Sequence, residues 1–356
     1  MASKAPDGRL KQAGGFVLAL VLAGLGGWLF WTLHAPLPWL LGAMIACALA
    51  AIAGIPISTP SVARPPMTAL VGTMLGASFT ADTFSRAGEW IIPLALLCIF
   101  LLVGGGAGYV VLRRLGGLDR PTAFFAGMPG GLIEMVTLGK DFGGDERMIA
   151  LAHAARIFFV VLSLPFLLQL ALGQPIPRSA GVPVPFASVG LEQGAWFLGT
   201  YLVGLMVGWR VKLPARYMFA PLIVSSTVHL TGLSDFILPS SLVATAQVII
   251  GAVIGCRFTG IEKTAVLKAM CLSVATTIVL LAITFGFAWL AATLAAMPFA
   301  NLVLAYSPGG LAEMSLIALA LNGEVAFVLI HHMVRVALVV ATAPLFFKLM
   351  GRLSPP

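Results

Sequence analysis

The chain has 356 residues, 60% of them hydrophobic and only 10% charged, with 21 Lys and Arg against 13 Asp and Glu for a formal net charge of +8. Soluble domains average roughly a quarter charged residues and under half apolar ones, so composition excludes a soluble enzyme and a nucleic-acid-binding domain. Apolar stretches of about 17 residues or more also exclude an outer-membrane barrel, whose strands alternate over ~10 residues.

In chain order, Lys4, Arg9 and Lys11 precede a first apolar segment at residues 14–33. That run is too long for a signal-peptide core, and His34-Ala35-Pro36-Leu37-Pro38 is a poor cleavage site. A first membrane helix with a cytoplasmic N-terminus is expected instead. Further apolar segments follow at residues 39–55, 67–81, 90–112, 121–139 and 148–172. After a Pro-rich linker, 174–192, six more occupy 194–210, 218–234, 241–256, 270–294, 297–321 and 325–347. The cysteines, Cys47, Cys98, Cys256 and Cys271, lie in or beside these segments at no metal-like spacing and read as small core residues.

An internal duplication organises the chain. Residues 129–139 read PGGLIEMVTLG and residues 308–318 read PGGLAEMSLIA, an offset of 179. At that offset Glu134 falls on Glu313, His153 on His332, Arg156 on Arg335, Gly72 on Gly251 and Gly76 on Gly255. Two membrane repeats are therefore expected, 14–173 and 193–350. The fifth segment of each is interrupted by Pro129-Gly130-Gly131 or Pro308-Gly309-Gly310. Proline removes a backbone donor and glycine loosens the helix, so a re-entrant hairpin is expected rather than one spanning helix.

The charges favour the same reading. If all twelve segments crossed, about ten Lys and Arg would lie inside and about nine outside, with no bias. With re-entrant fifth segments and five crossings per repeat, 17 lie inside against Arg86 and Arg178 outside. Five is odd, so the second repeat is inverted relative to the first. The expected fold is an all-α polytopic membrane protein of two inverted repeats, each with about five spanning helices and one broken or re-entrant helix.

Only four charges lie deep in apolar segments: Glu134, Arg156, Glu313 and Arg335. Each arginine follows a histidine, His153 or His332, by three residues, which places the two on one helix face. A charge at the bilayer centre costs at least ~2.5–3.5 kcal/mol and usually marks a pathway or a paired site. Glu134–Arg156 and Glu313–Arg335 are open to being structural ion pairs, and each glutamate to capping its second hairpin arm. Alternatively, the arginines offer a planar fork for an anion while His or Glu exchanges a proton. The free N–H groups of Gly130, Gly131, Gly309 and Gly310 and the half-helices they open would complete such a site. His229, His331 and His34 have no repeat partner and read as structural or loop residues.

The duplicated PGGLxEM motif, each copy followed by His-x-x-Arg, resembles the AbrB-duplication family of bacterial membrane proteins over nearly the whole chain. The chain carries the motif positions Gly130, Gly131, Glu134, Gly309, Gly310 and Glu313. The resemblance implies an inner-membrane location. Members are labelled ammonia monooxygenases or regulators, and the family is distinct from a small, β-rich DNA-binding regulator of the same name.

Three function classes follow. A secondary transporter or permease for a small anionic solute, proton-coupled through His or Glu, explains the inverted repeat, the breaks and the buried charges together. A membrane regulator would need a partner protein, since no loop is long enough to form a domain. A metal-dependent monooxygenase would rely on His153, His332 and His331, and the neighbouring arginines disfavour a cation. No catalytic residue, metal or cofactor is expected. The expected partners are the lipid bilayer and the solute, with no nucleic acid, and a homo-oligomer is compatible with the sequence.

Overall fold

The structure, a computed structural model, describes residues 6–59, 64–85, 87–176, 184–185, 188–211, 215–236 and 238–353. Lys4, Arg86, Arg178 and Lys212, which entered the charge count, lie outside the described residues, as does much of the expected linker.

Among the described residues the structure is helical throughout, without a strand. The first half holds α1 (Pro6–Thr32), α2 (Pro38–Ala53), α3 (Arg64–Gly76), α4 (Ile91–Arg114), α5 (Arg120–Gly127), α6 (Leu132–Asp141) and α7 (Glu146–Leu172). The second holds α8 (Leu191–Arg210), α9 (Arg216–Leu230), α10 (Ser240–Gly255), α11 (Lys263–Ala295), α12 (Phe299–Tyr306), α13 (Leu311–Ala320) and α14 (Val325–Leu353). Among the described residues six helices are long and apolar enough to cross a bilayer: those at Ala13–Thr32, Ala87–Arg114, Glu146–Leu172, Ser240–Phe258, Lys263–Ala295 and Val325–Met350. The chain is a multi-pass membrane protein. Of the other expected crossings, α2, α3 and α9 have 16, 13 and 15 residues, short of the ~20 that span the hydrocarbon layer.

The 179-residue offset holds for helix ends. It carries the start and end of α5 onto those of α12 and both ends of α6 onto those of α13. It also carries the start of α7 onto that of α14. Both fifth segments are broken at their Pro-Gly-Gly, into arms of 8 and 10 residues. At ~1.5 Å per residue neither arm spans a membrane.

The chain folds into two compact units, each drawing on both halves. The first comprises Met1–Arg86, Gln169–Gly260 and Ser315–Ala326. In it α2 packs on α10 and α3 on α9, with glycines at both crossings. A side chain at Gly72 would strike the backbone of Met218, and one at Gly76 would meet Leu222 and Ser225. Likewise Gly251 lies on Leu40 and Ala43, and Gly255 on Met44, Cys47 and Ala48. Glycine permits this close backbone approach, as in small-residue membrane helix contacts. Numbers rise together along both crossings, so α2 runs parallel to α10 and α3 to α9.

The second unit comprises Ala87–Leu168, Ile261–Met314 and Phe327–Pro356. Here α4 packs on α11. The rings of Phe100 and Phe287 meet at 5.7 Å, a side chain at Gly104 would touch Leu280, and Gly116 faces Leu272. Numbers rise in opposite senses, so α4 and α11 are antiparallel.

These directions decide the topology. Neighbouring crossings alternate, so a second repeat oriented like the first would make α2 antiparallel to α10 and α4 parallel to α11. The reverse is observed in both units. The repeats are inverted, and the hairpins that follow α4 and α11 enter the second unit from opposite ends.

Candidate functional site

All ten residues singled out by sequence lie in the second unit. The first hairpin starts where Asp119 Oδ1 accepts from Thr122 N at 3.0 Å, with a proline in the first turn of α5. Thr122 Oγ1 in turn accepts from Asp145 N at 2.8 Å. Asp145 Oδ1 then caps α7, accepting from the N–H groups of Arg147 and Met148. The base of the hairpin is thereby tied to the helix that follows it. At the same end Phe347 of α14 meets the rings of Phe124, Phe125 and Phe142 at 5.3, 5.4 and 5.2 Å.

The last carbonyls of any helix lack intrahelical donors. Those of α5 are served from α7. Arg156 Nη1 donates to Met128 O at 3.1 Å and to Ala126 O at 3.3 Å. His153 Nε2 lies 2.9 Å from Phe125 O, and Arg156 Nη2 lies 2.8 Å from His153 Nδ1. The second repeat builds the same device. Arg335 donates to Ser307 O and to Gly309 O, the latter at 3.0 Å. His332 Nε2 lies 3.0 Å from Leu304 O, with His332 Nδ1 3.0 Å from Arg335 Nη2.

This geometry assigns the histidine protons. A carbonyl only accepts, so Nε2 carries the hydrogen; a guanidinium only donates, so Nδ1 carries none. Both histidines are neutral, and both their nitrogens are engaged. The arginines and histidines, all 3% exposed or less, close the C-terminal ends of the first hairpin arms. Each guanidinium sits at the negative end of a half-helix dipole.

Among the described residues the ion pairs left open by the sequence are absent. Neither Glu134 nor Glu313 makes an ion pair or a hydrogen bond. Arg156 and Arg335 are spent on carbonyls, because each arginine points to the arm before the break and each glutamate sits beyond it. The glutamates lie in the first turns of α6 and α13, folded back over the second glycine of the break. The Glu134 carboxylate occupies the space a side chain at Gly131 would take, and the Glu313 carboxylate that at Gly310. This explains the second glycine of each motif. The expected cap is present in position but not in hydrogen bonding.

The first intrahelical bonds of α6 and α13 are Met135 N to Gly131 O and Met314 N to Gly310 O. The N–H groups of residues 132–134 and 311–313 therefore precede the hydrogen-bond ladder, at the positive ends of two half-helices. The first break rests on α14: side chains at Gly130 and Gly131 would meet Val339 and Val336, next to Arg335. The two repeat-related sets therefore share one neighbourhood.

Sequence reasoning found the side chains but missed what they hold, because backbone carbonyls carry no residue letter. The available signal was that two half-helices ending at a proline leave carbonyls that must find donors.

Residues 39–351 match the family model described as "Transition state regulatory protein AbrB". The chain belongs to the AbrB family. The match covers the two motifs and both His-Arg pairs. "Putative regulator AbrB" of Escherichia coli (strain K12) is 29% identical over 346 residues, covering 95% of this chain and 96% of that one. "Uncharacterized protein YhjN" of Bacillus subtilis (strain 168) is 25% identical over 371 residues, covering 97% and 92%.

Proposed function

We propose that this AbrB-family protein is a secondary transporter of a small anionic solute in the bacterial inner membrane, with both chain ends cytoplasmic. The observation that carries the proposal is the pair of oppositely entering broken helices, whose unladdered N–H groups open the second arms in one unit. Half-helix N-termini at the centre of an inverted repeat are how broken-helix transporters meet anionic groups. Two buried guanidiniums without carboxylate partners add positive potential to the same neighbourhood. In this reading Gly130, Gly131, Gly309 and Gly310 admit the solute to the backbone. Arg156, Arg335, His153 and His332 keep the breaks open, and Glu134 and Glu313 border the solute.

A membrane regulator is the second reading, favoured by the name of the Escherichia coli relative. Two measurements separate the readings. Purified protein is heated with a panel of small carboxylates and inorganic anions, then reconstituted into vesicles for uptake. A bound anion at 100 times its dissociation constant stabilises by ~2.7 kcal/mol. Stabilisation with uptake supports the transporter, stabilisation without uptake supports the regulator, and neither overturns the anion site. Orientation is tested by labelling single cysteines at 114, 178 and 212. The proposal expects 114 and 212 on one side and 178 on the other.

A further inference from the structure

We infer that Glu134 and Glu313, and not the histidines, carry the proton that accompanies the anion, each acting as a built-in occupant of the half-helix N-terminus the anion must reach. The inference rests on the anion-transport reading above and assigns the coupling within it.

The argument is partly elimination. The titratable and charged groups brought to the breaks are His153 and Arg156 from α7, His332 and Arg335 from α14, and the two glutamates of α6 and α13; His331 of α14 packs on Tyr306 of α12, whose hydroxyl donates to Pro93 O. Each histidine is held between a carbonyl and a guanidinium. Protonating Nδ1 would set an N–H against an arginine donor, and deprotonating Nε2 would strand a carbonyl. Arginine stays charged. Further out, Lys140 and Glu146 pair with each other at 3.2 Å, both well exposed. Of the groups beside the unladdered N–H groups, the glutamates are the ones free to exchange a proton without breaking a bond; His331 lies against Phe327 and Tyr306 instead.

The position of the glutamates supplies the coupling. Each carboxylate lies over Gly131 or Gly310, beside the N–H groups proposed to receive the solute. Glu313 is 7% exposed and still makes no hydrogen bond or ion pair, so nothing fixes it there but its own helix. An ionised glutamate and an anion cannot share one N-terminus without like-charge repulsion. A neutral glutamic acid can swing aside and leave the N–H groups to the anion. One proton therefore enters with each negative charge that displaces a glutamate and leaves when that glutamate returns. Because the hairpins enter from opposite ends, each glutamate serves one face of the membrane.

The test uses full-length purified protein, wild type beside Glu134→Gln/Glu313→Gln and His153→Gln/His332→Gln, with acetate and inorganic phosphate as probes. Infrared pH titration follows carboxyl protonation, and melting curves follow anion response. The inference expects the wild-type-minus-glutamate-variant difference spectrum to hold a carboxyl band that titrates together with the anion response. It also expects wild-type anion affinity to fall up to tenfold per pH unit across that titration. The glutamate variant should bind without this pH dependence, and at least tenfold more tightly than wild type at the alkaline end. The histidine variant should melt lower yet keep the carboxyl band. Where it no longer folds, His153→Asn alone serves in its place.

A pH dependence of anion binding that survives both Glu→Gln changes overturns the inference, as does one that disappears only in the histidine variant. If the difference band titrates but neither probe stabilises wild type, the proton assignment stands. The anion reading is then what fails for these probes.

Discussion

The two hairpins share one backbone plan and one capping device yet differ in how they are packed. In α6 only Met135 and Gly139 are buried, and Ile133 is 73% exposed. In α13 Met314, Leu316, Ile317, Ala318 and Ala320 are all fully buried. Glu134 is partly exposed where Glu313 is buried. The first hairpin is held at its base by the Phe347 ring cluster, whereas Val303 and Leu304 stand at the positions equivalent to Phe124 and Phe125. The capping of α5 and α12 is what the repeat keeps; the packing of the second arms is what it lets vary. In the transport reading, that difference is one face open and the other closed, and the alternate state exchanges the two environments.

The arginines test the shared part, with the largest effect. Arg156→Gln or Arg335→Gln removes several bonds from a charged donor, each worth about 1.5–3 kcal/mol. Either change should lower unfolding stability by about 3 kcal/mol or more, and by similar amounts in the two repeats. A stable variant that had lost only its anion response would restore the arginines as ligand-binding groups.

Phe347 tests the unshared part. Its three ring contacts contribute about 0.5–1.5 kcal/mol each beyond burial, so Phe347→Ala should destabilise by about 2–4 kcal/mol. Hydrogen exchange should quicken in α5 and α6 while α12 and α13 stay protected. Equal loosening of both hairpins would contradict the asymmetry.

A smaller effect tests the break itself. Gly131→Ala or Gly310→Ala displaces the glutamate carboxylate and should destabilise by about 1–3 kcal/mol, as overpacking does. Pairing each with Glu134→Ala or Glu313→Ala should recover most of that loss in a double-mutant cycle. Simple additivity would mean the carboxylate does not lie over the glycine. Replacing the glutamates by cysteine carries almost no energetic signal but reads access directly: position 134 should react with a water-soluble thiol reagent much faster than position 313.

Much of this was legible in residue letters. The duplication, the breaks at both Pro-Gly-Gly triplets and the deep charges all follow from spacing and apolar runs. The inverted orientation follows from the Lys and Arg count. The partners of Arg156 and Arg335 were not legible, because Met128, Ser307 and Gly309 act through their carbonyls and any residue supplies one. Nor could spacing show that α2 of one half packs on α10 of the other, or that each compact unit is built from both. Gly72, Gly76, Gly251 and Gly255 marked the close crossings without naming their partners. The burial of Glu313 against the exposure of Glu134 is a property of packing that two near-identical motifs conceal.

The central claim is that an anion binds at the start of α6 or α13. It is tested most directly by an electron cryo-microscopy map of the protein in saturating selenate. The account predicts density within hydrogen-bonding reach of the N–H groups of residues 132–134 or 311–313, with the adjoining glutamate turned away from Gly131 or Gly310. Selenate confined to surface basic residues, with both glutamates still folded over their glycines, would contradict it.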